Sequence, residues 1–391
     1  MRRISVEERR ARLGRRHSLE RGSTATDLVE LAGGLVGLHA TDPATVFLAA
    51  RARLRNGSHA EIERVLYEER SVLRMIGMRR TMFVLNLEFA AVVHASCTEA
   101  VASSQRRRYA KLIEEGGIAK NGAAWLDKAA AVTMEALEAR GEAFASELSK
   151  DVPLLRKKLS FGEGTKWAGS TSMTTWVLFL LAAEGRIVRG RPRGAWTSSQ
   201  WRWVPAASWF PRPLPRLDEE EARETLARRW LTSFGPATVT DLKWWTGWTL
   251  SRTRTTLAAI GAVEVDLDGT PGFVMPDDVD VAPSPEPWVA LLPALDPTVM
   301  GWKERAWYLG DHGPALFDRS GNAGPTVWWN GRIVGGWAGR KDGRVAFQLL
   351  EDVGADATAQ VEAEAARLEA WLGGVSVIPR FRVPLERELA A

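Results

Sequence analysis

Residues 235–275 read GPATVTDLKWWTGWTLSRTRTTLAAIGAVEVDLDGTPGFVM, and this stretch decides the fold class. Its last part alternates apolar and polar residues on both sides of Asp268-Gly269, which predicts two strands joined by a tight turn. Two short helical patterns precede these strands, and residues 219–231 (EEEARETLARRWL) predict a longer helix before them. A helix, a turn, two helices and a hairpin form the order of a winged helix-turn-helix unit.

The same order occurs twice in the preceding part of the chain. Helical patterns at 129–148 and 170–185 are followed by a longer basic hairpin at 186–204. Closer to the N terminus, three helical patterns precede SVLRMIGMRRTMFVL at 71–85, which predicts two strands around Gly77. Three units of one architecture indicate a tandem array, although the units share little sequence identity.

Proline-rich stretches separate the later units from one another. FPRPLPR at 210–216 and VAPSPEP at 281–287 lack any periodic pattern and predict linkers. Beyond them, strand patterns alternate with Asn-Gly and Asp-Gly turns, and one amphipathic helix follows. We therefore predict an α+β fold, in which three tandem winged helix-turn-helix units over 1–128, 129–210 and 211–285 precede a small β-rich, barrel-like domain with one packed helix over 286–391.

Composition excludes several classes of function. The chain has 391 residues and a net charge of +4, and its apolar runs are far shorter than the ~20 residues of a membrane span. The N terminus lacks the apolar segment of a secretory signal, and the single cysteine, Cys97, cannot form an internal disulfide. The five histidines show no metal-ligand spacing. These features predict a cytoplasmic protein without a metal or another cofactor.

The charge is unevenly distributed along the chain. Residues 185–217 contain seven arginines and no acidic residue, which is typical of a surface for nucleic acid. In the hairpin at 186–204 the arginines are interleaved with Trp196, Trp201 and Trp203, and tryptophans can stack on unpaired bases. The alternative is a solvated hairpin with its tryptophans packed beneath, but the lack of opposing acids favours DNA contact. The predicted DNA-binding residues of this hairpin are Arg186, Arg189, Arg191, Arg193, Trp201 and Arg202.

Two further hairpins carry basic residues. The turn after Trp337 contains Arg340 and Lys341, which suit either entry into a DNA groove or ordinary solvent exposure. In the N-terminal hairpin, Arg79 and Arg80 are adjacent, so strand alternation turns one of them inward. The inward arginine requires a partner, which is either a carboxylate in a salt bridge or a DNA phosphate.

The stretch LVGLHATDP at 35–43 places a histidine, a hydroxyl and a carboxylate after a helical stripe of leucines. The spacing predicts that His39 and Thr41 lie at the C terminus of that helix, before Asp42-Pro43 ends it. Capping accounts for all three polar side chains. Asp42 or Thr41 would cap the following helix, and His39 would cap the carbonyls of the first. Spacing alone favours this structural interpretation.

Four motifs occur in order along the chain. They are LVGLHATDP at 35–43 with a following helix that ends in ARL, MRRTMFVL at 78–85, LLPALDP at 291–297, and WNGRIVGGW at 329–337. Each motif is weak alone, but their order and spacing together are fairly specific. In these motifs the chain resembles the AlkZ/YcaQ-like winged-helix DNA glycosylase family across nearly its whole length.

This resemblance implies three winged-helix units and a β-rich domain curved around double-stranded DNA. It also implies a monofunctional glycosylase for alkylated or bulky purine adducts, including cross-links. Family enzymes carry glutamine, an apolar residue, and then glutamine or aspartate where this chain has His39, Ala40 and Thr41. Both polar positions differ from the family motif, but the side chains present here can still bind and activate a water molecule. His39 would orient or deprotonate the attacking water, Thr41 would hold it, and Asp42 would set the imidazole tautomer or offset charge on the sugar.

A second hypothesis is a non-catalytic winged-helix DNA-binding protein, such as a transcriptional regulator. Regulators usually bind palindromic sites as two-fold dimers, and this sequence shows no dimerisation element. The glycosylase hypothesis is therefore favoured, with a monomer bound to damaged double-stranded DNA. Such a protein is expected to associate with the nucleoid in the cytoplasm.

Overall fold

The computed structural model describes residues 1–20, 22–161, 169–210 and 212–391. Within these ranges it contains helices and five small antiparallel sheets. Among the helices described, none is long and apolar enough to cross a membrane. The expected start of the third unit at Pro211 lies outside the described residues.

The chain begins with a helix whose arginines bind a distant part of the sequence. Helix α1 (Val6–Arg16) is capped by the Ser5 hydroxyl, and its Arg12 donates to the Asp278 carboxylate at 2.6 Å. The first unit follows, and its elements are α2 (Leu28–Gly34), β1 (Leu38–His39), α3 (Pro43–Arg51), α4 (His59–Glu63), β2 (Val72–Ile76), β3 (Met82–Asn86), α5 (Leu87–Val93) and α6 (Glu99–Glu115). The sheet order is β1-β3-β2, so the two predicted strands around Gly77 are confirmed.

The second unit repeats this plan with an additional hairpin. Its elements are α7 (Gly122–Arg140), β4 (Ala143–Phe144), α8 (Ala145–Asp151), β5 (Lys158–Phe161), β6 (Gly169–Ser172), α9 (Met173–Ala183), β7 (Ile187–Pro192), β8 (Trp201–Pro205) and α10 (Ala206–Trp209). Strands β4, β8 and β7 form one sheet in that order, whereas β5 and β6 pair only with each other. The expected boundary between 128 and 129 falls inside α7, which runs continuously past it.

The third unit has the order that its sequence predicts. Its elements are α11 (Glu219–Phe234), α12 (Val239–Thr246), α13 (Leu250–Ala259), β9 (Val263–Leu267) and β10 (Thr270–Val274). Thr238 and Asp241 form a reciprocal cap at the start of α12, and Gly247 ends that helix with a φ of 81°. A bridge between Ala237 and Phe273 replaces the short strand of the first two units. All three units therefore share one element order.

The C-terminal domain is an open sheet with helices packed against it. Its elements are β11 (Val289–Leu292), α14 (Ala306–Leu309), α15 (Gly313–Leu316), β12 (Thr326–Trp329), β13 (Arg332–Gly339), β14 (Val345–Leu349), α16 (Ala355–Leu372) and α17 (Pro384–Leu389). The four strands pair in chain order, so β11 and β14 are edges. Within the described residues the sheet does not close, and the barrel-like expectation is wrong. The apolar stripe of α16 is buried, as its periodicity predicts.

A fully buried ion pair joins the first unit to the C-terminal domain. The Arg53 guanidinium donates two hydrogen bonds to the Asp296 carboxylate, at 2.9 and 2.6 Å, and neither side chain is exposed. It also donates to the carbonyls of His17 and Ala49 and to the Thr298 hydroxyl. Each guanidinium nitrogen thus has an acceptor, as a buried charge requires. Two motifs of the family resemblance, ARL and LLPALDP, meet in this pair.

We expect Asp296→Ala to lower the free energy of unfolding by about 3–5 kcal/mol, because it leaves the Arg53 guanidinium buried and unpaired. Urea unfolding followed by tryptophan fluorescence measures this change. Arg64 pairs with Glu61 at exposed positions, so Arg64→Ala is a matched control with little expected effect. A loss in Asp296→Ala no larger than that of the control would contradict the role assigned to the buried pair.

Candidate active site

His39 lies on the short strand β1, where it is the partner of Phe83 on β3. Only 4% of His39 is exposed, and its Nδ1 is buried with no hydrogen-bond partner among the described residues. The preceding helix ends at Gly34, and Val36 and Gly37 then turn the chain with positive φ values. The expectation that His39 caps this helix is wrong, because the turn carries the chain into the sheet first.

Thr41 lines the same cleft as His39. Its hydroxyl oxygen accepts a hydrogen bond from the Met82 N–H at 3.3 Å, which leaves the hydroxyl proton available to another acceptor. The cleft has a volume of about 360 Å³ and is bordered by the first unit, the third unit and the C-terminal domain. Its described lining contains no carboxylate and three cationic side chains, which are Arg79, Lys303 and Arg305.

Asp42 binds the backbone on both sides of its carboxylate. One oxygen accepts from the Ala44 N–H at the start of α3 (3.0 Å), and the other accepts from the Arg380 N–H (2.8 Å). The prediction that Asp42 caps the following helix is confirmed. Burial raises the pKa of Asp42, and the two N–H donors oppose that rise. Among the described residues no hydrogen bond joins this carboxylate to the His39 imidazole, so Asp42 does not set the tautomer of that ring.

The turn Met78–Arg80 between β2 and β3 carries Arg79 into the cleft. Arg79 and Arg80 both have positive φ values, 52° and 64°, a conformation that costs a non-glycine residue about 1–2 kcal/mol. The turn lies close to Gly247, whose missing Cβ would stand 3.6 Å from Arg79 Cγ. One arginine is inward and the other outward, as expected: Arg79 is half-buried and Arg80 is exposed. Strand alternation is not the cause, because both residues lie on the turn between the strands.

The inward arginine has a partner that sequence analysis did not find. The Arg79 guanidinium lies 3.8 Å from the ring centre of Trp244 on α12, and the Arg305 guanidinium lies 5.0 Å from the same ring. Neither arginine forms a salt bridge with a described carboxylate. Arg79, Trp244 and Arg305 are distant in sequence. The tryptophan pair in DLKWW was the one signal in the sequence that indicated an aromatic site. The cleft therefore has a cation–π centre.

The electrostatic environment keeps His39 neutral. Burial, with the charge of Arg79 as a second cause, lowers the pKa of His39 to about 3. Burial and the charge of Arg305 lower the pKa of Arg79 to about 10, so Arg79 still carries its proton at neutral pH. A neutral imidazole can accept a hydrogen bond from water, whereas a protonated one cannot.

The basic hairpin at 186–204 has acidic partners after all. Arg191 forms salt bridges with Glu63 and Glu68, at 2.7 and 3.2 Å. Arg202 pairs with Glu142, and Arg186 lies 3.9 Å from a Glu184 carboxylate oxygen. The expectation of unopposed arginines was wrong, because these acids lie outside the hairpin or immediately before it. Contact between these residues and DNA stays a prediction, but the lack of acids no longer supports it.

The tryptophans of this hairpin pack inward. Trp196, Trp201 and Trp203 are each 8% exposed, so they are not free to stack on bases as the sequence suggested. Trp196 contacts the aromatic rings of Phe47, His59 and Trp371, and this contact fixes the hairpin to the first unit and to α16. The two remaining arginines of the predicted set lie over aromatic rings: they are Arg189, over Trp203, and Arg193, over Phe144.

The C-terminal hairpin divides its predicted residues between the core and the surface. Trp337 is 2% exposed and donates its indole N–H to the Leu292 carbonyl at 2.8 Å, so it supports the sheet. The Nε of Arg340 donates to the Leu389 carbonyl at 2.9 Å. Lys341 is exposed at the tip of the turn. Of these three residues, only the lysine is fully presented to solvent.

The neutral state of His39 makes stability depend on pH. Its pKa of about 3 in the folded protein lies below the ordinary value of 6.5, so its contribution is complete above pH 6.5 and is lost as the pH falls toward 3. Between pH 7 and pH 5 this loss reaches about 2 kcal/mol. We expect His39→Gln, which does not protonate, to show a correspondingly smaller loss of unfolding free energy in urea titrations at the two pH values.

His17 provides an internal reference for that measurement, because its pKa is also lowered to about 3 by burial and it remains in both proteins. Its contribution cancels in the difference between wild type and variant. If wild type and His39→Gln lose equal stability between pH 7 and pH 5, the imidazole of His39 titrates normally and is not buried as described.

Comparison with known proteins identifies the family of the chain. The family model described as "DNA glycosylase AlkZ-like" matches residues 32–371. An interstrand DNA cross-link repair glycosylase from Streptomyces sahachiroi is 28% identical over 217 residues, which are 52% of this chain and only 56% of that relative. The solved structure of S. sahachiroi DNA glycosylase AlkZ superposes with a TM-score of 0.73 at 21% identity, over 97% of this chain and 99% of that chain, and supports the fold. The chain belongs to the AlkZ-like DNA glycosylase family.

Proposed function

We propose that the protein is a monofunctional DNA glycosylase that hydrolyses the bond between deoxyribose and an alkylated or bulky purine in duplex DNA. The observation that carries this proposal is the meeting of His39 and Thr41, at the positions of the family's polar motif, in one cation-lined cleft. The S. sahachiroi relative, of which this chain matches 56%, is named for interstrand cross-link repair. Cross-linked purines therefore belong to the proposed substrate class.

The proposed partner is double-stranded DNA, bound by a monomer. The shared element order of the three units supports their assignment as winged helix-turn-helix modules. We keep the unit boundaries expected from the sequence, except that α7 crosses the one between 128 and 129. DNA phosphates would be bound by basic side chains that no described carboxylate engages. Exposed residues of this kind are Arg80, Arg193, Lys303 and Lys341.

The reaction breaks the C1′–N bond and forms a C1′–O bond to water. The electron pair of the broken bond leaves with the base, which departs neutral because N-alkylation had made it cationic. The sugar passes through an oxocarbenium-like state, and after water has added to C1′ it loses a proton to the solvent. Because this carbon is strongly electrophilic, it reacts even with a weak nucleophile, and a weakly basic group suffices to orient the water.

His39 and Thr41 suit this orienting task. The neutral imidazole accepts a hydrogen bond from the water, and the Thr41 hydroxyl, which already accepts from Met82, donates its proton to the water oxygen. A lone pair of the water then remains for C1′. Asp42 acts through structure, because it fixes the start of α3 directly after Thr41.

We expect His39→Ala to lower the single-turnover rate by about 10²–10⁴-fold, because the attacking water loses its acceptor. The assay uses a duplex with one N7-alkylguanine, and mild alkali converts each abasic product into a strand break. His312→Ala is the matched control, since His312 lies outside the cleft. The catalytic proposal is wrong if several alkylated duplexes remain intact, or if His39→Ala cleaves as fast as wild type.

We expect Thr41→Val and Asp42→Asn to distinguish the catalytic role of Thr41 from the structural role of Asp42. Valine keeps the shape of threonine but removes the hydroxyl, so the single-turnover rate should fall at least tenfold, which corresponds to about 1.4 kcal/mol. Asparagine can still cap α3 through its one side-chain oxygen but loses the bond from the Arg380 N–H, so Asp42→Asn should lower the free energy of unfolding yet keep the rate within a few-fold of wild type. A large rate loss in Asp42→Asn with unchanged urea unfolding would instead assign a catalytic charge to Asp42.

A further inference from the structure

Three separate parts of the chain converge on Trp244 in the cleft. Arg79 comes from the turn after β2, Trp244 from α12 of the third unit, and Arg305 from the segment before α14. The two guanidinium groups lie 3.8 and 5.0 Å from the centre of the indole ring. Trp244 is half-buried, so one part of this group faces the open cleft.

The hydrogen-bonding capacity of the two arginines is largely unused. The Nε of Arg79 is buried without a partner, and no other hydrogen bond of its side chain occurs within the described residues. The Nε of Arg305 donates to the Trp302 carbonyl at 2.9 Å, whereas its terminal nitrogens have no acceptor in the described part of the chain. Several guanidinium donors therefore remain for a ligand.

The two like charges oppose each other in the free protein. The charge of Arg305 adds to burial in lowering the pKa of Arg79, and no carboxylate among the described residues counteracts either effect. The indole ring attracts both cations through its negative face, which keeps them together. An anion bound beside the ring would relieve the remaining repulsion and accept the unused hydrogen bonds.

We propose that Arg79 and Arg305, positioned by Trp244, clamp a phosphodiester of the DNA backbone next to the nucleotide whose C1′ lies at His39 and Thr41. This inference rests on the proposed function, because it requires duplex DNA in the cleft. The clamp fixes the sugar by its phosphate, so the glycosidic carbon is presented to the oriented water. Trp244 is a positioning residue, since it acts through the two arginines.

A phosphodiester suits this site better than the base does. N-alkylated purines carry a positive charge, which Arg79, Lys303 and Arg305 would repel in a cleft whose described lining holds no carboxylate. Guanidinium groups bind phosphate oxygens through paired, charge-assisted hydrogen bonds. The positive charge of the cleft therefore favours a backbone phosphate beside the cleaved nucleotide over the cationic base.

The clamp is tested by binding, which does not depend on catalysis. The ligand is a duplex with one uncleavable abasic analogue, and methylphosphonate replaces single phosphates near it, one position at a time, to remove their charge. We expect one position to weaken wild-type binding about tenfold, the effect of losing one charged hydrogen bond. Arg79→Gln and Arg305→Gln should each bind the unmodified duplex about tenfold more weakly and respond little to methylphosphonate at that position.

Arg228→Gln is the charge-matched control, because Arg228 pairs with Glu224 on α11 away from the cleft. It should bind as wild type does and keep the full methylphosphonate effect. If Arg79→Gln and Arg305→Gln keep that full effect at every position, the clamp does not exist. If inorganic phosphate raises the melting temperature of wild type but no methylphosphonate weakens binding, the site takes a free anion and the DNA assignment is wrong.

The positioning role of Trp244 has its own readout. Trp244→Phe keeps an aromatic face and should retain the methylphosphonate effect, whereas Trp244→Leu should lose it and raise KM for a cleavable duplex more than it lowers kcat. A Trp244→Leu protein that melts as wild type does but keeps the methylphosphonate effect would overturn this role. Absence of glycosylase activity in wild type would refute the proposed function and leave this binding test intact.

Discussion

The buried ion pair between Arg53 and Asp296 is the constraint on which the cleft depends. Asp296 directly follows Leu295, a residue of the cleft wall, while Arg53 lies two residues beyond the end of helix α3, which begins at Pro43 close to Thr41. A bidentate pair without solvent tolerates little displacement, because any gap leaves a charge unsolvated. The pair therefore sets the distance between the strand that carries His39 and the opposite wall.

The cleft combines the neutral imidazole of His39 with cations that no carboxylate of the described lining neutralises. Burial alone would suppress the charge of His39, and the nearby Arg79 adds to that effect. The same Arg79 is held in a left-handed turn and against another arginine. Strain and like-charge repulsion that persist in a folded protein occur mainly where function requires them. In the free protein the cleft thus combines an uncharged imidazole with several cations, which agrees with the proposed binding of an anionic DNA backbone.

Local patterns in the sequence predicted local structure well. The alternation around Asp268-Gly269, the stripe of α16 and the cap at Asp42 depend on residues close in sequence, and all are confirmed. The expectation that no acid opposes the arginines of the basic hairpin was wrong, because it depended on partners distant in sequence. The carboxylates that pair with Arg191 come from the segment around α4, and the ring that receives Arg79 lies far downstream. No periodicity encodes such contacts, because they arise only when the units pack together.

Helix α1 has a consequence for how the chain is made. Its arginines bind groups that are translated more than two hundred residues later, including the Pro236 carbonyl and the Asp278 carboxylate. While the first two units are being translated these distant acceptors do not yet exist, so Arg12 has only Glu8 of its own helix as an acidic partner. Helix α1 can therefore complete its contacts only after the third unit has been synthesised, although it precedes that unit by about two hundred residues.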